Sequence, residues 1–398
     1  MVSAVYPGKL TKISKKYNKK GNNLLKPILL LLMVFGFNLS NTKGTIFNAF
    51  FRFYSSLMVL LYHYFAVSDF VWYFQNPLDE IEIALADSIT VWASVCTWDF
   101  LFWKRKELFR IVQIIERETE KLDGRHQKTY RRLVLISCTA AWLFVFVFMY
   151  ISQFIVLPLD VKHDTYFVKS PFYFLPLHLF SRGQINLVIK IEKSLENFLI
   201  QGSLAMIVTL YVLLCLNIRM WFKKYGLSCK RNFRLASNLS IEDLKPFRLV
   251  LRQFSKRVTV VDNVFCIIVA VWLLMILVTL CVRTLAILHD EVQSNPQMMA
   301  MSVMEASRAI LTLLSVGLAA NGVYQESLLC LNVLEDVYYN PSWKESTYHE
   351  IASSRSMLQP AHLTVWKFAI LNSSFLMTCI GAMITYMIIG VQLHTKET

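Results

Sequence analysis

The sequence predicts an all-α, polytopic membrane protein with seven transmembrane helices, its N-terminus inside and its C-terminus outside. Three observations predict it: an apolar composition, seven long windows nearly free of charge, and Lys and Arg gathered on one side of those windows. Of the 398 residues, 55% are apolar and 17% are charged, against about 45–50% and about 25% in ordinary globular domains. Aromatic residues, counted within that apolar share, make up 14%. That balance excludes soluble enzyme folds, disordered tails and small secreted scaffolds. In such a chain a net charge of +14 points to basic cytoplasmic loops rather than to nucleic acid.

A spanning helix needs about 20 mostly apolar residues. Windows free of Asp, Glu, Lys and Arg run over Leu133–Leu159, Asn197–Ile218, Asn263–Val282 and Phe368–Thr395. Ile46–Val67 carries Arg52, and Ile83–Trp103 carries Asp87 and Asp99. Ala309–Gln325 is long enough once Met301–Arg308 is added, which brings Glu305 and Arg308 into the helix. The expected spans are 46–67, 83–103, 133–157, 197–218, 263–284, 301–325 and 368–393, in a single seven-helix domain over 1–398. Ile28–Phe37 offers only ten apolar residues after a Lys-rich start, too few to cross a bilayer. It also begins late for a secretory signal and lacks a small-residue cleavage site. It reads as an interfacial helix that closes a cytoplasmic segment over 1–44.

Orientation follows from the basic residues, which cytoplasmic loops retain. Residues 1–44 hold eight Lys and no acid, Lys104–Arg132 ten basic residues, Arg219–Asp262 eleven, and Glu326–Lys367 three. The intervening loops Ser68–Glu82 and Leu288–Ala300 hold none, Asp160–Glu196 holds five beside four acids, and the C-terminal tail holds Lys396. The cysteines agree. Six fall within spans, Cys229 and Cys330 fall on the cytoplasmic side, and no disulfide framework is expected. The sequons at Asn38, Asn238 and Asn372 fall in cytoplasm or membrane and are expected to be unused.

The cytoplasmic loops carry their own pattern. Glu107–Arg132 places Leu108, Ile111, Ile114 and Ile115 at helical spacing among dense mixed charge. It extends spans two and three below the membrane, with a turn at Asp123–Gly124. Leu244–Val264 repeats the pattern and feeds into span five. The expectation is a helical anchor bundle under the membrane, where excess Lys and Arg also meet anionic lipid. Linker composition and internal repeats are absent.

No phosphate-binding loop, dinucleotide glycine pattern, HExxH, CxxC pair or GxSxG occurs. Catalytic residues, a metal site, cofactors and a nucleic-acid partner are accordingly not expected. Ionisable residues inside a bilayer are functional candidates by default. Asp99 lies near Lys104 and reads as an interfacial charge. Asp87, Arg283, Glu305 and Arg308 fall in the outer half of spans two, five and six. Trp92, Tyr150, Gln153 and Gln201 share that half, and the set is a candidate ligand pocket lining a cavity open to the outside. The plainer reading is structural pairing, since Glu305 and Arg308 are three apart on one helix.

Span seven ends in an amide, Gln392, inside an otherwise apolar helix. Such a group is costly against lipid and comfortable against water or a partner helix. Thr385, Ile389 and Gln392 lie on one stripe, and Tyr386, Gly390 and Leu393 on the next. Small residues at Gly381, Ala382 and Gly390 allow close helix approach. One helix cannot enclose a pore, whereas symmetric copies of it can.

Thr385-Tyr386, five apolar residues and then Gln392 resemble the TYhhhhhQF signature of arthropod gustatory receptors, at the end of span seven where that signature belongs. The Thr378…Gly381-Ala382 run is similar too, and the likeness extends to length, span number, orientation and basic helix extensions. The departure is Leu393 where the family carries Phe, which puts a gate built on an aromatic ring in doubt. The resemblance implies a ligand-gated, non-selective cation channel of the plasma membrane of chemosensory neurons. It implies a tetramer, homomeric or built with related receptors, whose last helices form the pore. It implies a small-molecule tastant, permeant cations and membrane lipid as partners, with the pocket among spans two to six. Gln392 and Leu393 would form the outer constriction, with Ile389 on its stripe and Tyr386 supporting the helix. Asp79, Glu80, Asp290 and Glu291 in the outer loops would raise local cation concentration.

Rival readings make different demands. A G-protein-coupled receptor requires an outside N-terminus, which the Lys-rich segment opposes. A secondary transporter predicts paired broken helices in two related halves, and no such symmetry is visible. An odorant-type receptor of the same superfamily shares fold and mechanism, and only the Thr385-Tyr386…Gln392 spacing argues for taste.

Overall fold

In the computed structural model, the described residues are 24–37, 45–75, 81–120, 124–151, 182–235, 241–288, 296–338 and 359–397. Among them the elements are α1 (Lys26–Val34), α2 (Thr45–Gln75), α3 (Ile81–Trp103), α4 (Arg105–Glu120), α5 (Gly124–Ile151), α6 (Arg182–Leu235), α7 (Ile241–Leu288), α8 (Pro296–Tyr338), a hairpin of β1 (Thr364–Val365) and β2 (Ala369–Ile370), and α9 (Ser373–Glu397). Helices α5 to α8 are each long and apolar enough to cross a membrane. Helices α2, α3 and α9 coincide with the other three predicted windows. At 1.5 Å per residue, the 54 residues of α6 make a rod of about 81 Å. That far exceeds a hydrocarbon core of about 30 Å, so its polar end is a helical extension of an apolar one.

Helix α6 is the central pillar. It packs on α1, α2, α3, α4, α5, α7 and α8, and its apolar window is the most buried of the four while that of α5 is the least. Aromatic side chains fill the spaces between. Tyr62 lies 5.7 Å from Trp98, and Tyr211 lies 5.1 Å from Phe265. The Trp272 indole donates to Thr97 Oγ1 at 3.1 Å, joining α7 to α3.

Helix α1 buries one face against the bundle and leaves Leu30 and Val34 exposed on the other. Ile28 is 0% and Leu32 is 1% exposed. Its C-terminal carbonyls, which a helix leaves without internal partners, are taken by side chains of the neighbours. Tyr54 donates to Val34 O at 2.5 Å, Trp98 to Phe35 O at 3.1 Å, and Ser55 to Gly36 O at 2.7 Å. Phe35 closes on α6 at Gly202, where an added Cβ would stand 2.6 Å from the ring.

The break between α3 and α4 falls at Lys104, whose amine pairs with Glu107 at 3.1 Å. Helix α4 buries Leu108, Ile111, Val112 and Ile115. Val112 joins the predicted stripe, and Ile114 lies at its edge. This stripe packs into an aromatic cluster at the polar end of α6 and the start of α7. Phe254 sits 5.4 Å from Phe222 and 5.6 Å from Tyr225. The Arg257 guanidinium lies 5.2 Å over Trp221 and pairs with Glu118 at 3.0 Å. Arg219 and Glu326 join α6 to α8 at 3.4 Å.

The predicted seventh span begins at residue 368, whereas α9 starts at Ser373. Residues 364–370 form a hairpin instead, with Thr364 opposite Ile370 and Val365 opposite Ala369. Its three-residue turn, Trp366-Lys367-Phe368, has positive φ at Trp366 (48°) and Lys367 (67°). Tight hairpins favour that left-handed geometry, and Asn-Gly ordinarily supplies it. Here Asp262 of α7 compensates. Its carboxylate accepts from the Thr364 amide at 2.6 Å, from the Thr364 hydroxyl at 2.9 Å and from the Lys367 amine. The Trp366 amide donates to Cys266 O at 3.1 Å. Asn372 then caps α9 by accepting from Phe375 N at 2.9 Å, and Asn321 of α8 accepts from Ser373 N at 3.1 Å.

Candidate functional site

Two regions hold the residues singled out by sequence. The first is a polar cluster buried among α3, α6, α7 and α8. Arg308 and Glu305 are each 4% exposed, and their side chains pair at 2.5 Å on one face of α8. Arg308 also donates to Gln201 Oε1 of α6 and, at 3.4 Å, to Thr90 Oγ1 of α3. One guanidinium therefore ties three helices. Its Nε, also buried, has no hydrogen-bond partner. Ser302 is buried one turn before Glu305.

Arg283 is 3% exposed on α7. Helices α7 and α8 run antiparallel. The short connection 289–295 joins them at one end, and at the other Cys266 and Asn321 both hold the segment that opens α9. Counting from the connection, Arg283 and Glu305 differ in height by about one helical turn. Removing a charge from water costs several kcal/mol unless it is paired and hydrogen-bonded, so two arginines and one glutamate are an expensive group to place here.

Of the other predicted pocket residues, Trp92 and Tyr150 are 37% and 60% exposed. Trp92 packs edge-on against Phe70 at 6.4 Å. The Asp87 side chain and all of Gln153 lie outside the described residues, as do Asp79, Glu80, Asp290 and Glu291. Sequence reasoning missed Thr90, which sits in an apolar run with nothing to mark it as a partner of Arg308. It read Asp99 as interfacial, and the structure places it 3.2 Å from His63 with both half-exposed.

The second region is α9. Its first turns pack on α7 and α8, with Leu376 and Met383 buried. Leu376 presses on Gly317 of α8, where an added Cβ would lie 2.4 Å from it. Beyond this the helix is open. Met377, Ile384, Tyr386, Ile388, Ile389 and Gln392 are exposed, and nothing lies within 4 Å of a Cβ built at Gly381. Thr385 returns its hydroxyl to Gly381 O at 2.9 Å, so it satisfies itself within the helix. The Leu393 side chain lies outside the described residues. Tyr386, Ile389 and Gln392 share a helix whose far half leaves large apolar side chains uncovered.

Comparison with solved structures decides the fold. The insect olfactory receptor OR5 from Machilis hrabei superposes with a TM-score of 0.75 at 16% identity, over 93% of this chain and 97% of that one. The same receptor in complex with eugenol gives 0.73 at 15% identity, over the same shares. The chain has the fold of an insect olfactory receptor. No protein-family model matches it, and no curated protein does. The olfactory-receptor fold is thus reached through shape across nearly the whole chain, at a sequence identity too low to carry function with it.

Proposed function

We propose that this chain is a chemoreceptor of the gustatory type, acting as a ligand-gated, non-selective cation channel opened by a small-molecule tastant. The observation that carries the reading is the uncovered far half of α9, in a fold shared with an insect olfactory receptor. A helix with Ile384, Ile388 and Ile389 exposed beside a terminal amide suits the wall of a pore assembled from several copies. In this reading four subunits contribute α9, and Gln392 and Leu393 form the constriction, supported by Ile389 and Tyr386. The hairpin end of the molecule faces the cytoplasm, because the basic segments 104–132 and 219–262 lie there. The tastant enters the Arg308 end, and the acidic loop residues Asp79, Glu80, Asp290 and Glu291 steer cations towards the mouth. The protein is a multi-pass receptor of the sensory-cell plasma membrane, not an enzyme.

An odorant-type role is the second reading, favoured by the solved structures it superposes on. Expression in a cell without chemoreceptors, with whole-cell recording against tastant and volatile panels, separates them. Cation currents that persist when G-protein signalling is blocked are expected. Currents that require it, or permeation unchanged when Gln392 and Leu393 are both made charged, would overturn the channel reading.

A further inference from the structure

We infer that Thr279 and Arg308 form the polar end of a site for a neutral small molecule that carries a carbonyl oxygen. The inference rests on the receptor reading above and names the ligand class for it.

Two buried donors converge where α3, α7 and α8 meet. Trp272 of α7 donates to Thr97 of α3 at 3.1 Å, which fixes the register of those helices. They run in opposite senses, since Thr90 lies beside Arg308, nearer the 289–295 connection, and Thr97 beside Trp272, farther from it. Seven residues towards the connection, two turns on each helix, lie Thr279 and Thr90, on the stripes that carry Trp272 and Thr97. The level agrees with α8, because nine residues separate Thr279 from the end of α7 and Glu305 from the start of α8. Thr279 is 1% exposed, and its hydroxyl has no hydrogen-bond partner. The Arg308 Nε–H, in a side chain 5% exposed, has none either. Other donors of that guanidinium meet Gln201, Thr90 and Glu305.

The ligand class follows from what the two atoms can do. A guanidinium N–H only donates, and a threonine hydroxyl donates as well as accepts. A carbonyl oxygen has two lone pairs and takes both donors at once. A buried donor without an acceptor costs free energy that such an oxygen restores. A carboxylate finds no free charge here, because the Arg308 guanidinium is already paired with Glu305, and it would stand beside that glutamate. An ammonium has no acceptor for the Nε–H. A hydrocarbon would leave both donors as they are. Both atoms are sealed from solvent, so a ligand reaches them as the three helices part, which ties binding to a movement of the bundle.

Four compounds of nearly one shape test the point: acetophenone, ethylbenzene, benzoate and benzylamine at neutral pH. Binding is read as ligand-induced thermal stabilisation of the purified full chain in lipid nanodiscs, apart from any current. Acetophenone is expected to bind about tenfold or more tighter than the other three. Thr279→Val keeps the shape of the side chain and removes its hydroxyl. It is expected to weaken acetophenone by about threefold or more and to leave ethylbenzene unchanged. The melting temperature of the unliganded variant is expected to stay the same or rise, because a buried hydroxyl without a partner is gone. Arg308→Lys keeps the charge beside Glu305 and removes the Nε–H, and is expected to weaken acetophenone likewise.

Acetophenone binding no tighter than that of ethylbenzene, benzoate or benzylamine overturns the inference. So does acetophenone binding that Thr279→Val leaves unchanged, and this variant decides the matter if Arg308→Lys does not fold. A lowered melting temperature of unliganded Thr279→Val overturns it too, by giving the hydroxyl a structural role. Currents evoked by other tastants without acetophenone binding would sink the carbonyl assignment and leave the channel standing. Acetophenone binding that depends on Thr279, without current in any cell, would do the reverse.

Discussion

The cluster around Arg308 and the far half of α9 both set polar atoms among apolar helices, and the chain treats them oppositely. Arg308 is surrounded and tied to Glu305, Gln201 and Thr90 within one polypeptide. The α9 face bearing Tyr386, Ile389 and Gln392 is left uncovered by its own chain. The difference teaches a division of labour. On the function proposed above, a ligand site is built by folding, and a pore wall waits for assembly.

The largest expected effect breaks the comparison at α9. Replacing Gln392 and Leu393 together by Arg should cut ligand-evoked conductance by about tenfold or more. The melting temperature of the purified chain should stay unchanged. Arg308→Ala should do the opposite, because it leaves Glu305 buried without its partner. Thermal unfolding should record a loss of about 3–5 kcal/mol, against a change within about 0.5 kcal/mol for Tyr386→Ala on the open face. Asp262→Ala removes the acceptor for the Thr364 amide and the Lys367 amine, and should cost about 1.5–3 kcal/mol in the same assay. Gly317→Ala drives a methyl into Leu376 and should cost about 1–3 kcal/mol. At Gly381, where that space is empty, Ala should cost nothing. One substitution has the opposite sign. Trp366→Gly frees a left-handed residue whose side chain is largely exposed, and should stabilise by about 1 kcal/mol.

Charge-free windows made the long helices legible, because a run without Asp, Glu, Lys or Arg is visible whatever it packs against. The pairing of Glu305 with Arg308 was legible for the same reason: two charges three residues apart stand out in an apolar run. The hairpin was not. Trp366-Lys367 is not a turn dipeptide, and the side chain that holds it, Asp262, lies about a hundred residues earlier. The seating of helix α1 was not legible either, because ten apolar residues do not show that Tyr54, Ser55 and Trp98 reach the carbonyls at its end.

Leu376 sits in a notch that Gly317 leaves in α8, with no space for even one methyl between them. Arg308 lies nine residues earlier on that same unbroken helix. The two positions therefore behave as a key seated in a shaft. A few degrees of twist applied at the guanidinium would turn the slot beneath Leu376, and the leucine would have to ride with it or climb out.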